Sequence, residues 1–240
     1  MVILNINSKG QNKYMYSKKI AIIVAGGTGQ RMGSVVPKQF LEIQGKPILL
    51  HTIDQFVAAF SDIQLVVVLP EGYIQEGKDL LDKNGFTKNI VFVAGGDTRF
   101  QSVKNGLAQV NEAAIVFVHD AVRCLLTPAL IQRCYQQAFE NGSAIPAVSS
   151  TDTVRLMKGE KHELFDRENV MLIQTPQTFQ SDLLLTAFNQ EYTSSFTDEA
   201  NVVEASGNPV YLVDGEFENI KITRPLDLAI AEYILAKRFA

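Results

Sequence analysis

Gly26, Gly27, Gly29 and Gly33 crowd the end of an apolar run, Ile20 to Ala25, with Arg31 among them and Lys38 just beyond. Glycine lets a backbone take positive φ and lets a ligand approach the main chain closely. Successive exposed N–H groups beside cations make a cradle for a polyphosphate. One glycine would serve a plain strand-to-helix turn, so this density of glycine points to phosphate. The Walker pattern is absent, because no Gly-Lys-Ser/Thr follows. A dinucleotide fingerprint begun at Gly27 and Gly29 puts Met32 in its third glycine position. That fingerprint also wants an acidic residue about 20 positions on, at the end of the second strand. Here the next apolar run ends only near Leu69.

Two more polar clusters follow apolar runs. Gly95-Gly96-Asp97-Thr98-Arg99 with Ser102 succeeds Ile90 to Ala94, and His119-Asp120-Ala121-Val122-Arg123 succeeds Ala114 to Val118. The short runs at Ile20, at Gln64 to Leu69, at Ile90, at Ala114 and at Ala144 to Val148 read as strands buried on both faces. Between them fall helical spacings: one after Pro47, one near Ile74 to Asn84 closed by Gly85, one starting at Arg99 and one near Pro128 to Asn141. Alternating strands and helices describe an α/β fold, a doubly wound, mainly parallel sheet. Ligands then gather at the carboxyl ends of the strands, where the Gly26 loop, the Gly96 loop and Asp120 all fall.

From Ser149 the rhythm changes. Thr151 to Met157, a turn at Lys158-Gly159-Glu160-Lys161, and Val170 to Gln174 read as a hairpin-like arm, about 149–175. Such an arm has too little core to stand alone and should lean on something, for which a second subunit is the natural candidate. Helices are expected from Ser181 to Gln190, from Thr197 to Ala205 (with Thr197 as cap) and from Pro225 to Lys237, and a strand at Val210 to Val213.

The 240 residues suit one large α/β domain or two small ones. A net charge of −4 argues against a broad basic face for nucleic acid. No apolar run approaches the roughly 18 residues of a membrane span. Residues 1–17 carry too short an apolar stretch for a signal peptide and read as a loose tail, with Met15 as an alternative start. Residues 18–240 then form a single domain. Cys124 and Cys134 suit neither a zinc site nor a disulfide framework, and read as reduced thiols of a cytoplasmic protein.

The first loop resembles the signature of nucleotidyltransferases that join a nucleoside triphosphate to a sugar or polyol phosphate, A-G-G-x-G-x-R-M-G followed by P-K-Q. Here it reads Ala25-Gly26-Gly27-Thr28-Gly29-Gln30-Arg31-Met32-Gly33, then Pro37-Lys38-Gln39. The two later clusters, Thr175-Pro176-Gln177, Thr197-Asp198-Glu199 and Asn219 to Pro225 follow in order. Together they resemble the cytidylyltransferase family of the non-mevalonate isoprenoid pathway, over roughly residues 18 to 237. One departure is Cys124, where that family commonly has proline.

The resemblance implies a Rossmann-like fold and transfer of CMP from CTP to 2-C-methyl-D-erythritol 4-phosphate. It places Ala25, Gly26, Gly27, Gly29, Gly96, Asp97, Arg99, Ser102, Asp120 and Ala121 around the nucleotide. Arg123, Thr153, Arg167, Thr175, Thr197 and Lys221 fall around the acceptor, with Arg167 coming from the partner's arm in a homodimer. The chemistry agrees with these placements. The attacking atom is already a phosphate oxygen, so no potent base is needed, and positioning with charge neutralisation carries the reaction. Arg31, Lys38 and Lys221 are the cations suited to the triphosphate and to the charge building on the α-phosphate. Asp120 is the candidate contact for a Mg²⁺ that bridges the phosphates. His119 reads as a structural hydrogen-bonding residue and not a base. The Ala-Gly-Gly opening is shared with the related ribitol 5-phosphate cytidylyltransferase, which leaves that acceptor as the alternative. A module that senses CTP without turnover is a reading from another class.

Overall fold

The apolar, β-branched runs become the centre of a single sheet. The computed structural model describes residues 16–26, 36–86 and 88–238, so Gly27, Gly29, Gly33 and Arg31 lie outside the described residues, as do residues 1–15. In chain order the elements are β1 (Lys18–Val24), the small hairpin β2 (Glu42–Ile43) and β3 (Lys46–Pro47), α1 (Ile48–Ala59), β4 (Gln64–Leu69), α2 (Ile74–Lys83) and β5 (Ile90–Ala94). Then come α3 (Arg99–Leu107), β6 (Ala114–Asp120), α4 (Pro128–Asn141) and β7 (Ser143–Ser149). The chain continues through β8 (Val154–Lys158), β9 (Lys161–Phe165), β10 (Met171–Ile173) and β11 (Gln177–Gln180). It ends with α5 (Ser181–Ala187), α6 (Glu199–Ala205), β12 (Leu212–Asp214) and α7 (Pro225–Arg238).

The strand order is β10-β7-β11-β6-β1-β4-β5, with β12 also paired to β7. β1 runs parallel to both β4 and β6, and β4 parallel to β5, which is the expected doubly wound core. Alternate side chains of β1 face opposite layers. Ala21 and Ile23 pack with α1 and α4 residues such as Phe56 and Ile131, and Ile20 and Ile22 pack with Val103, Leu107 and Val203. Each fully buried aliphatic or aromatic side chain here contributes about 1.5–3 kcal/mol. Gly106 lets α3 lie close on the sheet, since a Cβ there would fall 2.7 Å from Cγ2 of Ile22. Among the described residues no helix is long and apolar enough to cross a membrane.

The departures from expectation cluster after β7. β11 is a buried strand wedged antiparallel between β6 and β7. Its sequence, Gln-Thr-Phe-Gln, lacks the apolar run that marked the other strands. The hairpin strands are β8 and β9, joined across Gly159 at φ 64°, whereas Met171–Ile173 joins the main sheet by pairing antiparallel with β7. The late strand is Leu212–Asp214, slightly beyond the expected Val210 to Val213. The cap of α6 is Asp198, whose carboxylate accepts from the Asn201 N–H, and not Thr197. Tyr16, at the edge of the expected tail, is buried, and its hydroxyl donates to Asp182.

Candidate active site

Strand register brings the strand ends to one edge. Val24 pairs with Val68 and with Asp120, and Leu69 pairs with Ala94, so the loops after β1, β4, β5 and β6 leave together. β11 runs the other way, with Gln177 opposite Val118, so Thr175 and Pro176 arrive at that same edge. The Thr175 hydroxyl accepts from the Asp120 N–H at 3.1 Å and pairs with Nδ1 of His119 at 2.9 Å.

Asp120 is the hub. Its Oδ1 accepts from Nε and Nη2 of Arg99 at 3.3 Å, and its Oδ2 lies 2.8 Å from Nζ of Lys221 and 3.9 Å from Nε of Arg123. Burial by itself would raise the Asp120 carboxyl, but Arg99, Lys221 and Arg123 hold it well below the usual carboxylate range. It is ionised at every physiological pH. Arg99 turns its other edge to Glu199, donating from Nη1 to Oε1 and from Nη2 to Oε2, the latter at 3.0 Å. Burial would depress Arg99, and the two carboxylates override it and push the guanidinium up. Arg123 donates to the carbonyl of Asn219 at 2.9 Å, which ties the turn after β6 to the segment before α7. That segment is held from the other side by Asn219, whose Nδ2 donates to the Thr175 carbonyl at 2.9 Å.

His119 is fully buried, and burial lowers its pKa to about 3. It is neutral at pH 7 and fixes Thr175 and the Arg123 turn, as a structural residue should.

The remaining expected residues take the following places. Ala25 is buried at the end of β1, with its N–H on the Val68 carbonyl, and the N–H of the equally buried Ala121 reaches Val24. Gly26 sits over Ser102, whose Oγ would lie 3.8 Å from a Cβ added there. Ser102 Oγ accepts from the Gly96 N–H at 3.1 Å and donates to the Thr98 carbonyl, which shapes the Gly96 loop at the start of α3. A side chain on Gly96 would strike Gln101 at 2.3 Å. Asp97 is exposed in that loop. Lys38 is nearly buried, and its Nζ donates to the Thr223 carbonyl, two residues from Lys221. Thr153 and Arg167 lie exposed on the arm, where Arg167 donates to the Thr151 carbonyl. Thr197 is exposed, and its hydroxyl is engaged with Asn201.

The structure therefore gathers Arg99, Asp120, Arg123, Thr175 and Lys221, and adds Glu199 and Asn219, which residue-by-residue reading passes over. Glu199 had one legible signal, its place in Thr-Asp-Glu. An acidic residue in a first helical turn is ordinarily explained by the helix dipole. Its burial was not legible. Among the described residues no three His, Cys, Asp or Glu side chains gather as a metal site. Asp120 is an ionised carboxylate whose oxygens hold Arg99 and Lys221, and one or two carboxylates are the protein ligands Mg²⁺ ordinarily takes when phosphates supply others.

Comparison with known proteins shows the family to which the chain belongs. Residues 19–237 match the family described as IspD, 2-C-methyl-D-erythritol 4-phosphate cytidylyltransferase. The chain is 46% identical over 217 residues to the protein of that name from Bacteroides fragilis, covering 90% of this chain and 99% of that protein. Its fold resembles 4-diphosphocytidyl-2C-methyl-D-erythritol synthase from Anaerococcus prevotii, with a TM-score of 0.78, 29% identity and coverage of 91% of this chain and 99% of that one. It also resembles the Francisella tularensis 2-C-methyl-D-erythritol 4-phosphate cytidylyltransferase, with a TM-score of 0.76, 32% identity and coverage of 90% and 99%. The chain belongs to the 2-C-methyl-D-erythritol 4-phosphate cytidylyltransferase family.

Proposed function

We propose that this protein transfers CMP from CTP to 2-C-methyl-D-erythritol 4-phosphate, releasing pyrophosphate. The observation that carries the reading is the Asp120 hub, an ionised carboxylate bracketed by Lys221, Arg99 and Arg123 at the edge where the strand ends converge. An acceptor phosphate oxygen attacks the α-phosphorus of CTP. The new P–O bond forms as the α–β bridge breaks, and the bridging oxygen leaves with its electron pair on pyrophosphate. Lys221, and Lys38 from the turn after the glycine loop, oppose the charge that builds on the α-phosphate oxygens. No base is required, and the neutral, buried His119 provides none.

The backbone of Gly26, Gly27 and Gly29 with Arg31 would cradle the triphosphate, and Gly96, Asp97, Arg99, Ser102 and Ala121 would hold the cytidine end. Thr175 and Arg123 face the acceptor side, with Thr197 at its margin. A Mg²⁺ carried on the triphosphate, with Asp120 as its protein contact, would neutralise phosphate charge. Thr153 and Arg167 would serve a partner's site. The arm supports that reading, because Met157, Leu164 and Leu172 expose 67%, 66% and 51% of their surface in the single chain. Residues 18–240 then act as one domain, paired with a second copy through residues 149–175. Cys124 and Cys134 are buried and unbridged, which suits the reducing cytoplasm.

The test is pyrophosphate release from CTP and Mg²⁺, with methylerythritol 4-phosphate and ribitol 5-phosphate supplied in parallel. Release with the first acceptor is expected. Release only with the second would overturn the acceptor, and CTP binding without release would leave a sensing module.

A further inference from the structure

Glu199 is a carboxylate that the proposed reaction does not use, yet it is 1% exposed and bonded through both oxygens to Arg99. We propose that Glu199 is a positioning residue, which acts through Arg99 to set the Asp120 carboxylate and the affinity of the nucleotide site. This proposal rests on the reading of the site as one for CTP.

Geometry carries the inference. Arg99 is a bridge, with Glu199 on its Nη1 and Nη2 and Asp120 Oδ1 on its Nε and Nη2. A guanidinium held on two sides cannot swing, so Oδ1 of Asp120 stays committed and Oδ2 is left turned to Lys221. Glu199 itself is placed by the sheet. On one side of it, Asp198 accepts from Nε2 of Gln177 at 2.9 Å, and on the other the Ala200 N–H donates to Oε1 of that same Gln177 at 2.8 Å. Gln177 starts β11 opposite Val118, two residues before Asp120 in β6. A single glutamine thus registers the start of α6 against the strand that carries the hub.

Charge gives the second argument. Arg99, Arg123 and Lys221 face Asp120 and Glu199, while His119 is neutral, so one positive charge is in excess. Removing the Glu199 charge raises that excess to two, which by charge alone would favour the CTP anion, so a loss of affinity reports the lost orientation of Arg99. A buried ion pair is weak evidence of stabilisation, since well-packed apolar replacements are often as stable. The bridge is therefore better explained by what it orients than by what it adds to folding.

The test uses Glu199→Gln, which keeps shape and removes charge, with CTP affinity by calorimetry, kcat and KM by pyrophosphate release, and melting temperature on the same samples. The expected result is a CTP Kd and KM raised about tenfold or more, a smaller change in kcat, and no further rise in KM when the change is made in an Arg99→Ala background. Unchanged Kd and KM, with or without a lower melting temperature, would overturn the proposal. So would losses that simply add in the double variant. If Glu199→Gln does not fold, Arg99→Lys keeps the charge but loses the fork. The same rise in Kd is expected there, and wild-type affinity would again overturn the proposal. A wild-type protein that binds CTP but never releases pyrophosphate would sink the transfer reaction, while the Kd values would still decide the role of Glu199.

Discussion

The ammonium of Lys221 lies 2.8 Å from Oδ2 of Asp120, joining the segment before α7 to the end of β6. Lys221 keeps 42% of its side chain exposed, so it is tethered at the site without being enclosed by it. A cation so placed can shift its allegiance from the carboxylate to a phosphate. We expect Lys221→Ala to lower kcat by a factor of about 100 or more, the scale of a lost oxyanion donor. The melting temperature should move little, because Lys221 is itself half-exposed and Arg99 and Arg123 still pair with Asp120 when it is gone. Wild-type kcat would remove Lys221 from the mechanism.

Asp120 should behave in the opposite way. Asp120→Asn leaves Arg99, Arg123 and Lys221 gathered around a neutral amide. Breaking a buried ion pair by removing one partner typically destabilises by about 3–5 kcal/mol. We expect both activity and the urea midpoint to fall, and an unchanged midpoint would show that solvent already screens the hub.

His119 sets an acid limit. Its folded pKa, about 3, is below its ordinary value of 6.5 because burial disfavours the charged ring. The unfolded chain therefore binds more protons between those values, and stability present above about pH 6.5 is lost as the pH falls toward 3. The depressed Asp120 carboxyl acts in the same direction at lower pH. We expect the urea midpoint at pH 4.5 to be well below that at pH 7, and less so in His119→Asn. A nuclear resonance titration showing the His119 ring protonating near pH 6.5 would contradict this.

The arm offers a test by mixing. Arg167→Ala and Lys38→Ala proteins, each inactive alone, should partly regain activity after subunit exchange, because a mixed dimer holds one intact shared site. No rescue, with exchange confirmed, would mean that Arg167 serves its own chain or none. On the proposed pairing through the arm, Met157→Glu with Leu164→Glu should give a monomer in sedimentation where the unaltered protein gives a dimer, since both side chains are mostly exposed in the single chain.

Some of this arrangement is legible in the amino-acid sequence and some is not. The parallel core was legible because β1, β4 and β6 are apolar runs buried on both faces, a pattern that few other structures require. The loops at their ends were legible because register follows from parallel pairing. β11 was not, since Gln177 and Gln180 look like surface residues until tertiary partners satisfy them: Gln177 bonds Asp198 and Ala200, and Gln180 bonds the end of α4. Glu199 was hidden for the same reason. A buried carboxylate is recognised by its partner, and Arg99 lies a hundred positions away in sequence. The second hairpin strand was misplaced because Met171–Ile173 and Lys161–Phe165 are both plausible partners for β8, and only the tight turn at Gly159 selects the nearer one.

The arm also has a consequence for how this chain tolerates change in length. Ser149, where β7 ends, is paired directly with Met171, where β10 begins. The entry and exit of everything between them are therefore neighbours across one antiparallel rung. Closing a loop costs only slowly more as it lengthens, so the sheet and the Asp120 edge need not register what is inserted there. Replacing residues 150–170 with a tight turn should give a shortened protein that still folds and still binds CTP, as a monomer, with the partner's contribution removed in one cut.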